Sequence, residues 1–284
     1  MIERHVPSKH LTLSKEVPLW ALPTALSLDA PLVAVAWQGL FAVSFGVTLA
    51  WYHPVILGLS VWLVYVADRL LDAGKLELNQ PHTFRHVLHA KYRWVFTAAW
   101  LVIFGIVGVL VLSFLTPREI LLGAGVIAAV SAYGVGIHLL ETKRPIFTKE
   151  LQVGLVFGAG VTLGVWTQVA SLQLLVSSLL FAALCSLNCL LIAVWERRVD
   201  QAQQQPSLAL TLPRLPKLLP PALILFSLGT LVLTPLLPYQ LTLSLALAAA
   251  LLWLLNAYRE AFSRESLRVL ADVALLTPLL YLLF

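Results

Sequence analysis

Charge is what this chain has least of. Only 12% of its 284 residues are Asp, Glu, Lys or Arg, and 60% are hydrophobic; a soluble domain has about 25% charged residues. So few charges exclude a soluble fold of this size. They also exclude reading the net charge of +5 as nucleic-acid binding, because basic residues in a membrane protein mark its cytoplasmic loops. Cysteine is scarce too, with only Cys185 and Cys189. One turn apart on one helix, they do not suit a disulfide. Without a nearby His they make a poor metal site, so they read as small packing residues. No long apolar core lies at the extreme N-terminus, so no cleavable signal peptide is expected.

What the chain does have is long apolar runs, the mark of helices crossing a hydrocarbon layer about 30 Å thick. Nine segments are expected, near 30–50, 54–71, 94–114, 119–140, 149–168, 172–195, 217–236, 239–256 and 265–284. Turn signals at Tyr52-His53-Pro54, Thr116-Pro117-Arg118 and Pro235 with Pro238 separate them. The expected fold is therefore all-α, a polytopic membrane protein with nine transmembrane helices. Residues 1–26 form a cytoplasmic lead, with a short interfacial segment at Leu19-Trp20-Ala21-Leu22, and residues 27–284 form one transmembrane domain.

The basic residues test the count. If the spans alternate, every Lys and Arg except Arg118 falls on the side of the N-terminus. An incorrect count would scramble that partition. The N-terminus is therefore expected inside and the C-terminus outside, in the inner (plasma) membrane of a bacterium. The long loops and nearly all acids share the inner side, so any chemistry belongs there.

Two stretches on that side repeat one pattern. Val64-Tyr65-Val66-Ala67-Asp68-Arg69-Leu70-Leu71-Asp72 closes span two, and Val194-Trp195-Glu196-Arg197-Arg198-Val199-Asp200 closes span six. Each sets two carboxylates four residues apart, hence on one helical face with Cβ atoms roughly 5–6 Å apart. Such pairs are equally at home as solvated charges where a helix leaves the membrane. Their placement at the end of apolar runs, and their repetition, favour a site. Carboxylate pairs suit Mg²⁺, a hard cation that prefers oxygen and commonly bridges to a phosphate. Asn188, two turns before Glu196, offers a further oxygen, or else an interhelical hydrogen bond.

Arg69, Arg197 and Arg198 can neutralise the acids. Lys143-Arg144 with Lys149, and Arg85 with His82 and His86, are either inside-loop markers or clamps for phosphate oxygens. A metal site on His82, His86 and His89 is not favoured. Asp272 reads as the partner of Arg268 within span nine, and Asp29 as the N-cap of span one.

These residues resemble the UbiA superfamily of intramembrane prenyltransferases. Ala67-Asp68-Arg69-Leu70-Leu71-Asp72 is similar to the second half of that family's Asn-Asp-x-x-Asp-x-x-x-Asp motif. Lys143-Arg144 followed by Gln152-Val153-Gly154-Leu155-Val156-Phe157-Gly158 resembles its basic pair and Gly-bearing fifth helix. Glu196-Arg197-Arg198-Val199-Asp200 resembles the acidic pair of its second motif.

The resemblance implies a helical bundle with a central cavity on the cytoplasmic side. It implies transfer of a prenyl group from a prenyl diphosphate to an aromatic or other lipophilic acceptor among membrane lipids. Mg²⁺ would be the cofactor, one ion on Asp68 and Asp72 and another on Glu196 and Asp200, with Asn188 as a further ligand. Lys143 and Arg144 would steady the diphosphate, with Arg69, Arg85 and Arg197 as further contacts. Two departures stand out. The family's opening Asn-Asp is Val64-Tyr65 here, and its upstream second-motif acid falls at Asn188 or Cys189. A terpene cyclase, or a membrane protein that holds an isoprenoid or pigment without turnover, are the alternatives. A transporter is disfavoured, because its charges belong near the midplane and these crowd one face.

Overall fold

A computed structural model describes residues 18–73, 84–138, 149–202, 204 and 207–282. Those residues form thirteen α-helices and two 3-10 turns joined by short turns, with no strand among them. A 3-10 turn at Leu19–Ala21 and α1 (Leu22–Ala25) meet α2 (Asp29–Ser44) at a bend of 77°. Then follow α3 (Tyr52–Ala73), α4 (Phe84–Lys91), α5 (Arg93–Phe114), α6 (Pro117–His138), α7 (Lys149–Trp166) and α8 (Leu172–Ala202). The chain ends with α9 (Leu208–Thr211), α10 (Leu215–Val232), α11 (Tyr239–Ala257), a 3-10 turn at Arg259–Ala261, α12 (Arg264–Ala274) and α13 (Leu279–Leu282).

Each of the nine expected segments falls on a helix, the last on the broken pair α12 and α13. By length and composition five of the described helices can cross a membrane: α3, α5, α8, α10 and α11. The bent unit of α1 and α2 makes a sixth. The other three segments do not meet that standard in the described residues. At 11 residues, α12 would rise only about 16 Å.

Helix ends have local causes. α2 stops at Ser44, short of the expected 50, because Gly46 takes a left-handed φ of 64°. Val47 N–H then donates to Ala42 O at 2.8 Å and Gly46 N–H to Val43 O at 3.2 Å, the Schellman pattern that ends a helix at glycine. At the other end, Asp29 is the first residue of α2 and Leu28 its cap. The Asp29 carboxylate accepts from Ala30 N–H at 2.9 Å, so the expected N-cap sits one residue inside the helix. α12 breaks before Pro278, and the Leu275 carbonyl freed there accepts the Trp37 indole N–H at 2.7 Å. That bond satisfies a carbonyl that burial would otherwise make costly.

The core lies among α2, α8 and α11, where Trp37, Leu40, Phe41, Phe181, Leu184, Leu245 and Leu252 are fully enclosed. The Trp37 and Phe181 rings lie 4.5 Å apart between centroids. α5 is the opposite case. Phe96 is its one buried residue, while Leu101, Val109 and Leu112 are 60%, 65% and 79% exposed. A helix that is apolar on its open faces suits lipid.

α7 and α8 pack closely. A methyl placed on Gly154 would lie 2.6 Å from the Ala182 carbonyl oxygen and 2.7 Å from Ser186 N, and one on Gly158 would lie 2.9 Å from Ala182 Cβ. Small residues four apart let two membrane helices approach this closely.

At the far end of the bundle the two turn signals meet. His53 Nε2 lies 2.9 Å from Glu119 Oε1, and the Thr116 N–H and hydroxyl both donate to Glu119 Oε2 at 2.8 Å. Both side chains are about nine-tenths buried. The same His53, at the start of α3, lies against Gly164 near the end of α7. α3 thus runs opposite to α7 and parallel to α8, which brings both acidic stretches to the other end of the molecule.

Candidate functional site

Four-residue spacing places Asp68 and Asp72 on one face of α3, where both are half-buried. Arg69 turns elsewhere. It is only 4% exposed, and its Nε–H donates to Ser27 Oγ at 2.8 Å. Ser27 is fully buried and holds a left-handed φ of 59° at the bend before α2. The guanidinium expected to contact diphosphate is therefore engaged at that bend.

On α8 the helix outlasts its apolar run and keeps Glu196 and Asp200 one turn apart up to Ala202. Glu196 is buried, and Arg268 of α12 donates from Nη1 to both its oxygens at 3.2 and 3.3 Å. Arg268 thereby bridges two helices, α12 and α8. Asp200 and Arg197 are half-buried and Arg198 is exposed.

Lys143 and Arg144 lie outside the described residues, as do His82 and the side chains of Arg85 and His86. His89, expected in a loop, is on α4 with its ring fully buried and stacked on Phe96 at 4.0 Å.

Between α3 and α8 lies a gap. α3 packs on α2, α4, α5 and α7, and α8 packs on α7 and α9 to α12, yet residues of both line one small cavity of about 30 Å³. Tyr65 of α3, Asn188 and Cys189 of α8, Phe157 of α7 and Asp272 of α12 form its walls. Tyr65 precedes Asp68 by less than a turn. Asn188 precedes Glu196 by two, so the cavity lies inward of both acidic stretches.

Tyr65 and Asp272 were not among the expected site residues. Glu150 was also missed. It is buried at the start of α7, accepts from Leu208 N–H at 2.8 Å through Oε1, and leaves Oε2 without a partner among the described residues. Cys185 and Cys189 are free thiols that help line the cavity.

Comparison with solved structures finds the apo structure of a UbiA homolog from Aeropyrum pernix K1. The two share 16% identity over 90% of this chain and 99% of that one, with a TM-score of 0.58. This chain has the UbiA fold. No family model and no curated protein matches the sequence. With its apolar helices of spanning length, the fold makes this an integral membrane protein.

The UbiA fold raises the question of a divalent cation. No three His, Cys, Asp or Glu side chains among the described residues form a cluster able to hold one unaided. Mg²⁺ bound to a substrate phosphate needs only one or two carboxylates, with water completing the octahedron. Asp68 and Asp72, adjacent on one half-buried face, fit that requirement. On α8 both oxygens of Glu196 accept from Arg268, so a cation there would compete with that guanidinium.

Proposed function

We propose that this protein transfers a prenyl group from a prenyl diphosphate to a lipophilic acceptor within the membrane. The observation that carries the reading is the polar gap between α3 and α8, bordered by Tyr65 and Asn188, with an acidic stretch just beyond it on each helix. All nine helical segments cross the bilayer in this reading. The N-terminus is cytoplasmic and the acidic ends face the cytoplasm of a bacterial cell.

Asp68 and Asp72 would hold Mg²⁺ beside the substrate diphosphate. The chemistry Mg²⁺ would supply there is positive charge against the leaving group. Lys143, Arg144, Arg85 and Arg197 add positive charge from the inner side, and Asp200 adds an oxygen near the mouth. Arg268, fixed on Glu196, supplies in this chain a positive charge where the family resemblance implies a second cation. The apolar walls keep water from the allylic carbon while its bond to oxygen breaks.

The test is diphosphate release from a prenyl diphosphate by purified protein in lipid nanodiscs. Release should require Mg²⁺ and fall at least 100-fold in Asp68→Ala and in Asp72→Ala. Unchanged release in both variants removes α3 from the chemistry.

A second reading is binding of an isoprenoid without turnover, with terpene cyclisation as the related enzymatic alternative. The Glu196–Arg268 pair and Tyr65 in place of an acid favour the binding reading. Tight binding of a prenyl diphosphate with no diphosphate release selects it.

A further inference from the structure

From Leu78 to Arg118 the chain holds no Asp or Glu, and Arg85, Lys91 and Arg93 precede the apolar run within that stretch. Two of these cations frame a corner. α4 ends at Lys91 and α5 begins at Arg93, and Tyr92 between them leaves helical geometry with φ −107° and ψ 31°. On the inside of the corner the fully buried His89 ring stacks on Phe96 and fixes the turn. On the outside Lys91, Tyr92, Arg93, Trp94 and Val95 are all exposed, Trp94 to 82%. Neither cation forms a salt bridge or side-chain hydrogen bond with a described residue. Lys91 Nζ lies 5.2 Å over the exposed Tyr92 ring.

α5 sets the depth of this corner in the membrane. Its open faces are apolar, and from Trp94 to Phe114 it rises about 30 Å, the thickness of the hydrocarbon layer. Phe114 ends that run in a cluster of rings, 5.2 Å from Trp51 and 5.3 Å from Tyr52. With that cluster at one border of the hydrocarbon, Trp94 lies at the other, the level that indole rings favour. Lys91 and Arg93, just beyond it on long stems, reach the level of the lipid phosphates. Positive charge there attracts a headgroup with a net negative charge. A zwitterionic headgroup brings its own cation to the same place and gains less. A free phosphate could use the two cations but would leave Trp94 and Val95 without a partner.

We propose that the α4–α5 corner is a docking surface for an anionic phospholipid. Its phosphate lies against Lys91 and Arg93, and the first carbons of its tails lie against Trp94 and Val95. The surface is separate from the gap between α3 and α8, and its occupancy does not depend on any transfer reaction.

The full chain in micelles of an uncharged detergent is titrated with dioleoylphosphatidylglycerol and with dioleoylphosphatidylcholine, which share their tails. Native mass spectrometry follows the first lipid bound. Phosphatidylglycerol should bind about tenfold more tightly than phosphatidylcholine, and Lys91→Gln/Arg93→Gln should abolish that preference. Arg214→Gln/Lys217→Gln removes the same net charge from another exposed site and should keep the preference. Trp94→Ala should weaken both lipids. Glycerol 3-phosphate, which carries the phosphate without tails, should displace neither. The proposal is overturned if Lys91→Gln/Arg93→Gln keeps the preference, or if Arg214→Gln/Lys217→Gln loses it equally. It is also overturned if Trp94→Ala binds both lipids like the parent chain, or if glycerol 3-phosphate displaces them at equal concentration.

Discussion

Replacing Arg268 by Met asks how much the α8–α12 bridge contributes. The two side chains are 14% and 12% exposed, with Nη1 3.2 Å from Glu196 Oε2. Removing the guanidinium leaves a largely buried carboxylate without this counter-ion, and breaking such a pair costs about 3–5 kcal/mol. The residual exposure places the expected loss near the lower end, about 3 kcal/mol.

Glu196→Gln removes the charge from the other side and strands Arg268 instead, for a similar loss. The double variant Glu196→Gln/Arg268→Met strands neither. Its loss should be about 1 kcal/mol, well below the sum of the two, because neighbouring groups in one pair are not additive. Reversible unfolding in mixed micelles, followed by tryptophan fluorescence, measures all three. Additive losses, with a coupling under about 0.5 kcal/mol, would refute the reasoning. Glu196 would then be energetically independent of Arg268 and open to a cation.

Glu119→Ala should destabilise by about 3 kcal/mol, because it unpairs His53 and both Thr116 donors in a site nine-tenths buried; the same unfolding assay reads it. Gly154→Ala should cost about 1–3 kcal/mol, since the new methyl would meet the Ala182 carbonyl at 2.6 Å. Gly229→Ala, with nothing within 4 Å of the added methyl, should be neutral or stabilising by up to about 1 kcal/mol from helix propensity. If the two glycine variants behave alike, α7 and α8 do not pack this closely. Cysteines introduced one at a time at Arg118 and Gln201, both exposed, in a chain with Cys185 and Cys189 replaced by Ala, should react with impermeant maleimide from opposite sides of the membrane. Labelling from one side for both breaks the alternation of spans.

What the sequence shows well is periodic and local. Apolar runs coincide with α3, α5, α8, α10 and α11 because one physical demand, burial in hydrocarbon, fixes both length and composition. Boundaries drift where backbone chemistry decides. Gly46 ends α2 early, and α8 runs past the apolar segment to Ala202 on polar residues that propagate a helix without needing lipid.

The site was legible only in part. Asp68/Asp72 and Glu196/Asp200 stand out because each pair lies within one turn. The partners that qualify their roles do not stand out. Arg268 meets Glu196 across 72 residues, and His53 meets Glu119 across 66; nothing local in either stretch announces the other. Tyr65 and Asp272 gain meaning only once α3, α8 and α12 enclose a common space. Asn188 shows the same limit from the other direction. Its spacing on α8 suggested a metal ligand beside Glu196, yet two turns of rise, roughly 12 Å, set it in the cavity beyond the acidic pair.

Manganese relaxation at the diphosphate tests the central claim most directly. The ligand is a prenyl diphosphate whose bridging oxygen at C1 is replaced by sulfur, which slows cleavage. Its phosphorus signals are followed by NMR as Mn²⁺ is added to the protein in nanodiscs. The account predicts strong broadening of both phosphorus signals beyond that seen with protein-free nanodiscs, the excess saturating near one ion per chain and abolished by Asp68→Ala/Asp72→Ala. An excess that survives in that double variant would contradict it, since the cation that holds the diphosphate would then rest on some other part of the molecule.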